Sequence, residues 1–344
     1  MSETKQKRAV TRDDVAALAG VSSATVSYVI NDGPRPVAAE TRGKVLEAIQ
    51  TLGYQPNSLA RSLRRQQTST LGLLIPDNLN PYFAEVARGV EAVAFEHGYT
   101  VVFGHSHYSA ENENRYADVL RAERVAGMVW IPSTDEYEPA NKFIAHQIPI
   151  VVVDRVVEDQ DAYSVVADNF RGGYVAAEHL IALGHQRIGF ICRPQALAHS
   201  NERMRGYKAA LAEHGLEPDE SLIVPGGYKF EDGREAALAL LQSENPPTAI
   251  FAYNDMIAIG VLRAASELKL SVPQDLSVVG FDDIPGAAFT FPPLTTVSLP
   301  KFEMGRRSAE LLIGLINGEE APAQSSEMMD VSLVVRESTG PASI

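Results

Sequence analysis

Short apolar runs alternate with helical runs through residues 71–282, and this alternation constrains the fold more than any other feature of the chain. Strands that are apolar along their whole length and are separated by helices are typical of parallel sheets with helices on both faces. The runs fall into two sets, so the pattern predicts an α/β body with two lobes. The predicted strands are LGLLIP (71–76), TVVFG (100–104), GMVWIP (127–132), PIVVVD (149–154), RIGFIC (187–192), TAIFAY (248–253) and LSVVGF (276–281).

Polar and aromatic side chains follow these strands. In open α/β sheets, ligands bind beyond the carboxyl ends of the strands. Carboxylate, amide and guanidinium groups together hydrogen-bond several hydroxyls, and aromatic rings cover the C–H face of a sugar. The set therefore predicts a site for a small polyhydroxyl ligand. Its members are Tyr82 and Phe83 in NPYF, Asp154 and Arg155 in VDR, Arg203 in NERMRGY, Asn254 in YND and Asp282 in GFDD.

Taken singly, each of these residues also has a structural explanation. A lone aspartate often caps a helix, a lone arginine often forms a surface ion pair, and a lone aromatic residue often packs in the core. Binding is favoured because the whole set falls at strand ends. His105 and His107 lack further ligands at metal-binding spacing, so no metal site and no cofactor are predicted. The chain has no GxSxG, no P-loop and no GxGxxG after a strand, which argues against an enzyme.

The charge of the chain is unevenly distributed. Residues 1–66 hold ten Lys or Arg against six acids, a net charge of +4. Because the whole chain carries −14, the remaining residues carry −18. A basic head on an acidic body fits contact between the head and phosphates, although a solvated basic face gives the same excess.

Two short helices with matching start signals open the basic segment. Thr11 with Asp14 and then Ser22 are N-cap candidates, and Gly20 ends the first helix. A third helix is predicted over residues 38–52, with Gly53 as its stop. The predicted buried positions are Val15, Leu18 and Ala19 in the first helix, Val26, Val29 and Ile30 in the second, and Val45, Leu46, Ile49 and Leu52 in the third.

Two short helices joined by a tight turn and supported by a third make a helix-turn-helix, whose second helix enters the major groove. Ser23, Ala24 and Tyr28 stay on the outer face and are then the candidates for reading bases. A plain three-helix bundle with a polar outer face has the same spacing. The helical pattern alone does not separate the two interpretations.

The stretch YQPNSLARSLRRQQTST, residues 54–70, joins head and body. Its helical part, about residues 58–65, is shorter than the roughly 12 residues that an isolated helix needs in water. Leu59 and Leu63 lie on one side among arginines, as in minor-groove binders that wedge an apolar side chain into a base step. A flexible linker is the alternative.

TRDDVAALAGVSSATVSYVIND, followed by TRGKVLEAIQTLGYQPNSLARSL, resembles the head and hinge of the LacI/GalR family of bacterial transcription regulators. The resemblance implies a homodimer that reads a pseudo-palindromic operator. It places Ser23, Ala24 and Tyr28 at base-contacting positions and Leu63 at the intercalating leucine, beside Ala60. The full set assigned to DNA is Thr11, Ser22, Ser23, Ala24, Thr25, Ser27, Tyr28, Asn31, Asn57, Ala60 and Leu63.

The resemblance continues through PPLTTV (292–297) and LVVRESTG (333–340). It implies a two-lobed, periplasmic-binding-protein-like (type I) body of parallel sheets behind a small all-α head. It also places Tyr228 where an aromatic residue stacks on the ligand. The implied domains are a helix-turn-helix head (1–56), a hinge (57–68) and an effector-binding body (69–340), with an N-lobe of about 69–167 and 299–328 and a C-lobe of about 168–298 and 329–340.

A repressor controlled by a monosaccharide such as ribose is the first functional hypothesis, because the body looks similar to ribose-type repressors. A purine- or nucleoside-responsive regulator with corepressor polarity is the alternative. A sugar transport receptor shares the body but has no use for a DNA-reading head. The single cysteine, Cys192, allows no intramolecular disulfide, and the amino terminus has no apolar core of signal-peptide length. With no run of about 18 apolar residues, we expect a cytoplasmic protein without a membrane span.

Overall fold

The computed structural model describes residues 10–31, 36–54, 68–134, 136–157, 162–193, 202–320 and 322–342. The chain divides into two compact units, residues 1–68 and residues 69–344.

The first unit contains three helices in its described part: α1 (Arg12–Ala19), α2 (Ser23–Asn31) and α3 (Ala39–Leu52). Thr11 and Asp14 form the predicted capping box, in which the Thr11 backbone N–H donates to the Asp14 carboxylate over 2.7 Å. Gly20 ends α1 with a φ of 66°, the left-handed conformation that glycine adopts without strain. Ser22 accepts a hydrogen bond from the Thr25 N–H, so the second predicted cap is also present.

The core of this unit is small and tightly built. Val15, Val26 and Val45 are fully buried, one from each helix. Two predicted core positions are wrong: Leu18 and Leu46 are 54% and 50% exposed. Alanines fill the inner positions instead, because their small side chains allow the short helices to approach closely. The buried alanines are Ala16 and Ala48.

The second unit is the α/β body. Its helices are α4 (Pro81–Glu96), α5 (Ala110–Ala122), α6 (Glu138–Ala145), α7 (Asn169–Ala182), α8 (Glu202–Glu213), α9 (Phe230–Leu241), α10 (Asp255–Glu267) and α11 (Lys301–Ile316). Its strands are β1 (Thr70–Ile75), β2 (Thr100–His105), β3 (Gly127–Trp130), β4 (Ile150–Val153), β5 (Tyr163–Ala167), β6 (Ile188–Cys192), β7 (Ile223–Pro225), β8 (Ala249–Ala252), β9 (Ser277–Asp282), β10 (Thr295–Ser298), β11 (Ser326–Met329) and β12 (Ser332–Val334).

Within the described ranges, the strands form two six-stranded sheets, as the alternating pattern predicts. The order is β11-β5-β4-β3-β1-β2 in the first sheet and β12-β10-β9-β8-β6-β7 in the second. Their pairs are parallel, except that β12 runs antiparallel to β10. The chain passes between the sheets three times: after β5, after β10 and after β11. We call the lobe around the first sheet the N-lobe and the lobe around the second sheet the C-lobe.

Helix α11 returns to the N-lobe and packs against α4 there. The two helices cross at glycines. A Cβ on Gly89 would lie 2.1 Å from the Phe302 carbonyl oxygen, and one on Gly305 would lie 2.0 Å from the Val86 carbonyl oxygen. Only glycine permits this approach of the two backbones, so the crossing fixes α11 on the N-lobe.

The start of the second sheet holds a buried network of neutral polar groups. His185 is buried, and its ring nitrogens lie 2.9 Å from the Thr248 hydroxyl and 3.0 Å from the Ser277 hydroxyl. The second of these nitrogens also lies 3.1 Å from the Gly340 carbonyl oxygen. His185 therefore ties the C-terminal segment to the sheet, which agrees with a structural role.

Among the described helices, none is both long and apolar enough to span a membrane.

Candidate functional site

A cleft that opens to solvent and encloses about 470 Å³ of space lies at the carboxyl ends of the strands of both sheets. Both lobes contribute to its wall. Pro76, Ile131 and Asp154 come directly after β1, β3 and β4, and Arg193 and Tyr253 come directly after β6 and β8. The lining residues are Pro76, Asn80, Tyr82, Phe83, Tyr108, Ile131, Pro132, Ser133, Asp154, Arg193, Arg203, Tyr228, Tyr253, Asn254 and Asp282.

The structure brings seven of the eight predicted ligand residues into this lining: Tyr82, Phe83, Asp154, Arg203, Tyr228, Asn254 and Asp282. Arg155 is not among the lining residues. The chain turns at Asp154, whose φ is 69°, and the Arg155 guanidinium donates to the Thr134 carbonyl oxygen over 2.6 Å. A role for Arg155 in binding would therefore be indirect.

Arg203 stands at the centre of the C-lobe wall. It is 4% exposed, and its guanidinium lies 3.7 Å above the centroid of the Phe281 ring. It donates to the Asn169 side-chain oxygen and to the Tyr253 carbonyl oxygen, both over 2.7 Å, and lies 3.6 Å from the Asp282 carboxylate. These contacts fix a buried cation in the cleft wall, since aromatic faces, an amide and a carboxylate surround it.

Asp282 lies beside Arg203 at the end of β9. Its burial raises the pKa of the carboxyl well above the usual range, against the opposing effect of Arg203. Asp282 and Asp283 both have positive φ values, 106° and 52°. The Lys301 ammonium, at the start of α11, donates to the carbonyl oxygens of both residues and so holds this strained turn.

Two polar atoms in the cleft wall have no hydrogen-bond partner within the described part of the chain. They are the Tyr82 hydroxyl and the Asp154 Oδ1. Both are buried, and a buried polar group without a partner is costly. These two atoms are therefore free to bond to a molecule in the cleft.

Asp255 forms a second buried carboxylate behind the cleft. It accepts hydrogen bonds from the Thr296 hydroxyl over 2.6 Å and from the Ile284 N–H over 2.8 Å. Burial nevertheless raises the pKa of Asp255 to about 7. The carboxyl end of the second sheet thus buries two carboxylates at once.

Two further contacts join the lobes across the cleft in the described part of the chain. The Arg193 guanidinium of the C-lobe donates to the Ser133 carbonyl oxygen of the N-lobe. The rings of Tyr108 and Tyr228 stack across the cleft, with centroids 3.7 Å apart and planes at 10°. Behind Ser133, the buried Glu113 carboxylate accepts from the Ser133 N–H over 2.8 Å and keeps that loop in place.

Sequence reasoning missed several lining residues. Ser133 and Arg193 directly follow the predicted runs GMVWIP and RIGFIC, and Tyr253 ends the predicted TAIFAY run, so the strand-end rule finds all three when it is applied to every predicted run. Asn80 caps α4 through the Tyr82 N–H, which is a start signal readable from NPYF. Tyr108 gives no such signal, because it lies in a turn after β2.

The head presents part of the predicted DNA-contacting set. Ala24 and Ser22 are exposed on or beside α2, and Thr11, Ser23, Thr25, Ser27 and Tyr28 are half-buried. The Ser23 hydroxyl donates to the Asp13 carboxylate of α1. Asn31 is the last residue of α2. Asn57, Ala60 and Leu63 lie outside the described residues, so their assignment to DNA stays a prediction.

Metal-binding or nucleophilic chemistry finds no support in the residues that are described. No three His, Cys, Asp or Glu side chains among them are grouped as a metal ion would require. Cys192 is the last residue of β6, and its thiol is buried. Burial raises the pKa of this thiol and so opposes its ionisation.

Comparisons with known proteins agree with this architecture. Residues 11–57 match the model of the bacterial regulatory proteins, lacI family, and residues 177–339 match a periplasmic binding protein-like domain. The chain is 34% identical to the HTH-type transcriptional repressor CytR of Escherichia coli (strain K12) over 98% of this chain and 99% of CytR. It is 38% identical to the ribose operon repressor of the same strain over 88% of this chain and 92% of that repressor.

Among solved structures, the chain is similar to the lac repressor dimer bound to operator and the anti-inducer ONPF. The TM-score is 0.87 at 29% identity, covering 97% of this chain and 100% of that one.

Proposed function

Because this chain belongs to the lacI family of bacterial regulatory proteins, we propose that it is a repressor whose hold on operator DNA is released by a monosaccharide such as ribose, bound between its two lobes. Family membership makes the chain a DNA-binding transcription regulator with a ligand-binding body, and not an enzyme. The proposal adds the class of effector, the residues that bind it and the direction of control.

The observation that carries the proposal is the convergence of polar groups in one cleft. Asp154, Asp282, Arg203 and Asn254 come from four different places in the sequence and line the same space. Two carboxylates, a guanidinium and an amide suit a ring bearing several hydroxyls, each of which both donates and accepts. The unpartnered Tyr82 hydroxyl adds a further group of this kind.

On the DNA side, we propose that α2 enters the major groove and presents Ser23, Ala24 and Tyr28 to the bases. Residues 57–68 form the hinge, which folds on the central base step and inserts Leu63. Ligand binding changes the closure of the lobes, and this alters how the two hinges of a dimer are spaced. The required coupling is modest, since allosteric coupling is typically about 1–3 kcal/mol.

A homodimer completes the proposal, because two recognition helices are needed for a pseudo-palindrome. The body offers an apolar surface that a second copy would cover. Phe289 and Phe291 are 88% and 98% exposed on one loop of the C-lobe. Aromatic residues of this size are enriched where proteins associate.

The test starts by selecting duplexes from a random DNA pool with the full chain, and it continues with anisotropy titrations of the selected duplex. We expect a pseudo-palindromic sequence whose affinity falls when D-ribose is added. Asp282→Ala should keep the DNA affinity and lose the ribose response, whereas Asp275→Ala, an exposed acid of the same lobe, should keep both. Leu63→Ala should weaken binding and reduce the DNA bend.

An undiminished ribose response in Asp282→Ala would show that ribose does not act through this cleft. Tighter DNA binding in the presence of ribose would mean that the sugar acts as a corepressor and does not release the repressor from DNA. An unchanged bend in Leu63→Ala would rule out the wedge.

A further inference from the structure

The first two crossings of the chain between the lobes each place a polar side chain beside the Arg203–Asp282 pair of the cleft wall. Asn169 begins α7 just after the first crossing, and Lys301 begins α11 just after the second. Neither residue is among those that line the cleft. Their contacts run instead to the two charged residues that do.

The Asn169 side chain connects the two lobes. Its Nδ2 donates to the carbonyl oxygen of Ala167, the last residue of β5 in the N-lobe, over 3.2 Å. Its Oδ1 accepts a hydrogen bond from the Arg203 Nε of the C-lobe over 2.7 Å. One amide serves both contacts, because it carries a donor and an acceptor side by side. The position of Arg203 is therefore tied to the end of an N-lobe strand.

The Lys301 ammonium makes the corresponding connection from the other crossing. Lys301 is the first residue of α11, the helix that its glycine crossing with α4 fixes on the N-lobe. The side chain is buried, and its Nζ donates to the carbonyl oxygens of Asp282 and Asp283 at the end of β9 in the C-lobe. The Leu299 carbonyl oxygen lies 3.4 Å from the same Nζ, so three acceptors match the three donors of an ammonium. Lys301 thus holds the backbone that carries the Asp282 carboxylate.

The backbone at this turn needs such support. Asp282 and Asp283 have φ values of 106° and 52°, a left-handed conformation that non-glycine residues adopt only when their surroundings impose it. From within the C-lobe, Arg336 donates to the Asp283 carboxylate over 2.6 Å and to the Leu294 carbonyl oxygen over 2.7 Å. Lys301 adds a hold from the N-lobe helix. A rotation of that helix against the C-lobe therefore acts on a turn that is already strained.

The two connections meet at the ion pair of the cleft wall. The Arg203 Nη1 lies 3.6 Å from the Asp282 Oδ1, and both side chains are buried. Asn169, Arg203, Asp282 and Lys301 thus form one continuous series of contacts, which begins at β5, passes through the cleft wall and ends at α11. Contiguous networks of this kind can carry energetic coupling between distant parts of a protein. Both ends of this one lie at chain crossings, which must accommodate any rotation of one lobe against the other.

We propose that Asn169 and Lys301 are positioning residues that couple the Arg203–Asp282 pair to the angle between the lobes. This inference rests on the proposed function, in which a ligand changes the closure of the lobes. The ligand touches Arg203 and Asp282, and the two positioning residues pass the resulting shift of these groups to β5 and to α11. The coupling accounts for a buried lysine that spends its donors on the backbone of the opposite lobe.

Hydrogen exchange of the full, ligand-free chain tests the connection without any effector. Asn169→Leu removes both amide contacts at one end of the series, and exchange of the backbone N–H groups of residues 283–284 at the other end should become about 2-fold faster or more. Lys301→Met should in turn accelerate exchange at residues 171–172, at the start of α7. Changes confined to the neighbourhood of each substitution would mean that each residue stabilises only its own segment, and would overturn the coupling.

The response to a ligand is measured as the ratio of two affinities of the full chain for the selected duplex, without D-ribose and with saturating D-ribose. Saturation removes any change in ribose affinity from the comparison. We expect a wild-type ratio of about 5 or more, in line with typical allosteric coupling, and ratios below about 2 for Asn169→Leu and Lys301→Met. A purely structural role would lower the melting temperature of the variants and leave the ratio at its wild-type value, which contradicts the proposal.

Asn169→Asp separates the two contacts of one side chain. The carboxylate keeps an acceptor for Arg203 but has no N–H for the Ala167 carbonyl oxygen, so the ratio should fall as it does in Asn169→Leu. A wild-type ratio in Asn169→Asp would show that the connection to β5 plays no part. Since this variant leaves the buried Lys301 in place, it also decides the matter if Lys301→Met does not fold.

Lys208→Met and Asn141→Leu are the matched controls, since Lys208 pairs with Glu220 at the surface of the C-lobe and Asn141 is exposed on α6. Both should keep the wild-type ratio and the wild-type exchange. A wild-type chain whose DNA affinity does not respond to D-ribose would overturn the proposed function. The exchange measurement then decides on Asn169 and Lys301 by itself.

Discussion

The two ends of the second sheet bury polar groups of opposite kinds. At the carboxyl end, the strands lead to Asp255, Asp282 and Arg203, which are buried charged side chains. At the amino end, His185 meets two hydroxyls and a backbone carbonyl, all of them neutral. Both networks are buried to a similar degree and lie on opposite ends of the same strands.

The difference separates buried charges that line or adjoin the proposed ligand cleft from neutral polar groups that hold the fold together. Buried charges carry a desolvation cost that their mutual attraction repays only in part. At the carboxyl end this cost persists as a raised pKa of Asp282 and of Asp255. At the amino end the histidine is neutral and its partners are complete, so that network stabilises the fold without offering unpartnered groups. Sites that bind ligands commonly sacrifice stability in this way.

Removal of the buried cation should have the largest effect. Arg203→Ala leaves Asp282 without its partner, and the loss of one member of a buried ion pair typically lowers the free energy of unfolding by about 3–5 kcal/mol. Arg205→Ala, two residues further along α8, removes an arginine that is 65% exposed and should cost less than about 0.5 kcal/mol. Urea denaturation followed by far-UV circular dichroism measures both. Equal losses of unfolding free energy in the two variants would show that the buried Arg203 contributes no more to stability than an exposed arginine.

Disruption of the neutral network should have an intermediate effect. His185→Leu leaves the Thr248 and Ser277 hydroxyls short of a partner, which costs about 1–3 kcal/mol for buried polar groups. His146→Leu, on the exposed end of α6, is the control and should be nearly neutral. The same urea titration applies, together with hydrogen exchange at residues 338–340. Unchanged protection there would mean that His185 does not hold the C-terminal segment.

The pH dependence of stability should have opposite signs at the two ends, and its effects are the smallest of the series when they are compared over one pH unit. Burial raises the pKa of Asp255 to about 7, so the folded state holds this proton longer and stability falls as pH rises from about 4 to 7. Burial lowers the pKa of His185, so the unfolded state binds this proton more readily and stability falls as pH drops below about 6.5. Each group changes the free energy of unfolding by at most about 1.4 kcal/mol per pH unit.

Urea midpoints between pH 4.5 and 8 resolve the two contributions. Asp255→Asn should reduce the decline toward neutral pH, to which Asp282 also contributes, and keep the acid-side loss. His185→Leu should keep that decline and reduce the acid-side loss. Identical profiles for wild type and Asp255→Asn would show that the Asp255 carboxyl titrates normally.

The strand pattern predicted the body because parallel strands need continuous apolar runs. Among the strands inside the two sheets, β1, β3, β4, β6, β8 and β9 have such runs and were predicted. β5 and β10 were missed, because polar residues interrupt their short runs. The edge strands β11 and β12 are half exposed and interrupted by polar residues, so they carry no such signal. In the head, helical spacing predicted that Leu18 and Leu46 are buried, whereas close helix packing buries Ala16 and Ala48.

The cleft was predictable where a residue follows its strand directly, as Asp154 and Asn254 show. Arg155 lies outside the cleft lining, although it was predicted there, because the left-handed turn at Asp154 directs the next side chain elsewhere. Tyr108 could not be predicted, since its position depends on two consecutive left-handed residues and its partner comes from the other lobe. Contacts between lobes depend on distances that local spacing does not encode.

The return of α11 to the N-lobe has a consequence for the order in which the chain is made. Residues leave the ribosome from the amino terminus, and folding units form as their sequence emerges. The central strands and helices of the C-lobe lie in the continuous stretch 169–298, whereas the N-lobe lacks the helix that crosses α4 at Gly89 until residue 316 has been synthesised. Both lobes therefore wait for the C-terminal stretch, since β11 completes the first sheet and β12 completes the second. A nascent chain halted near residue 300 should present a second sheet that lacks only β12 beside a first lobe that lacks both α11 and β11.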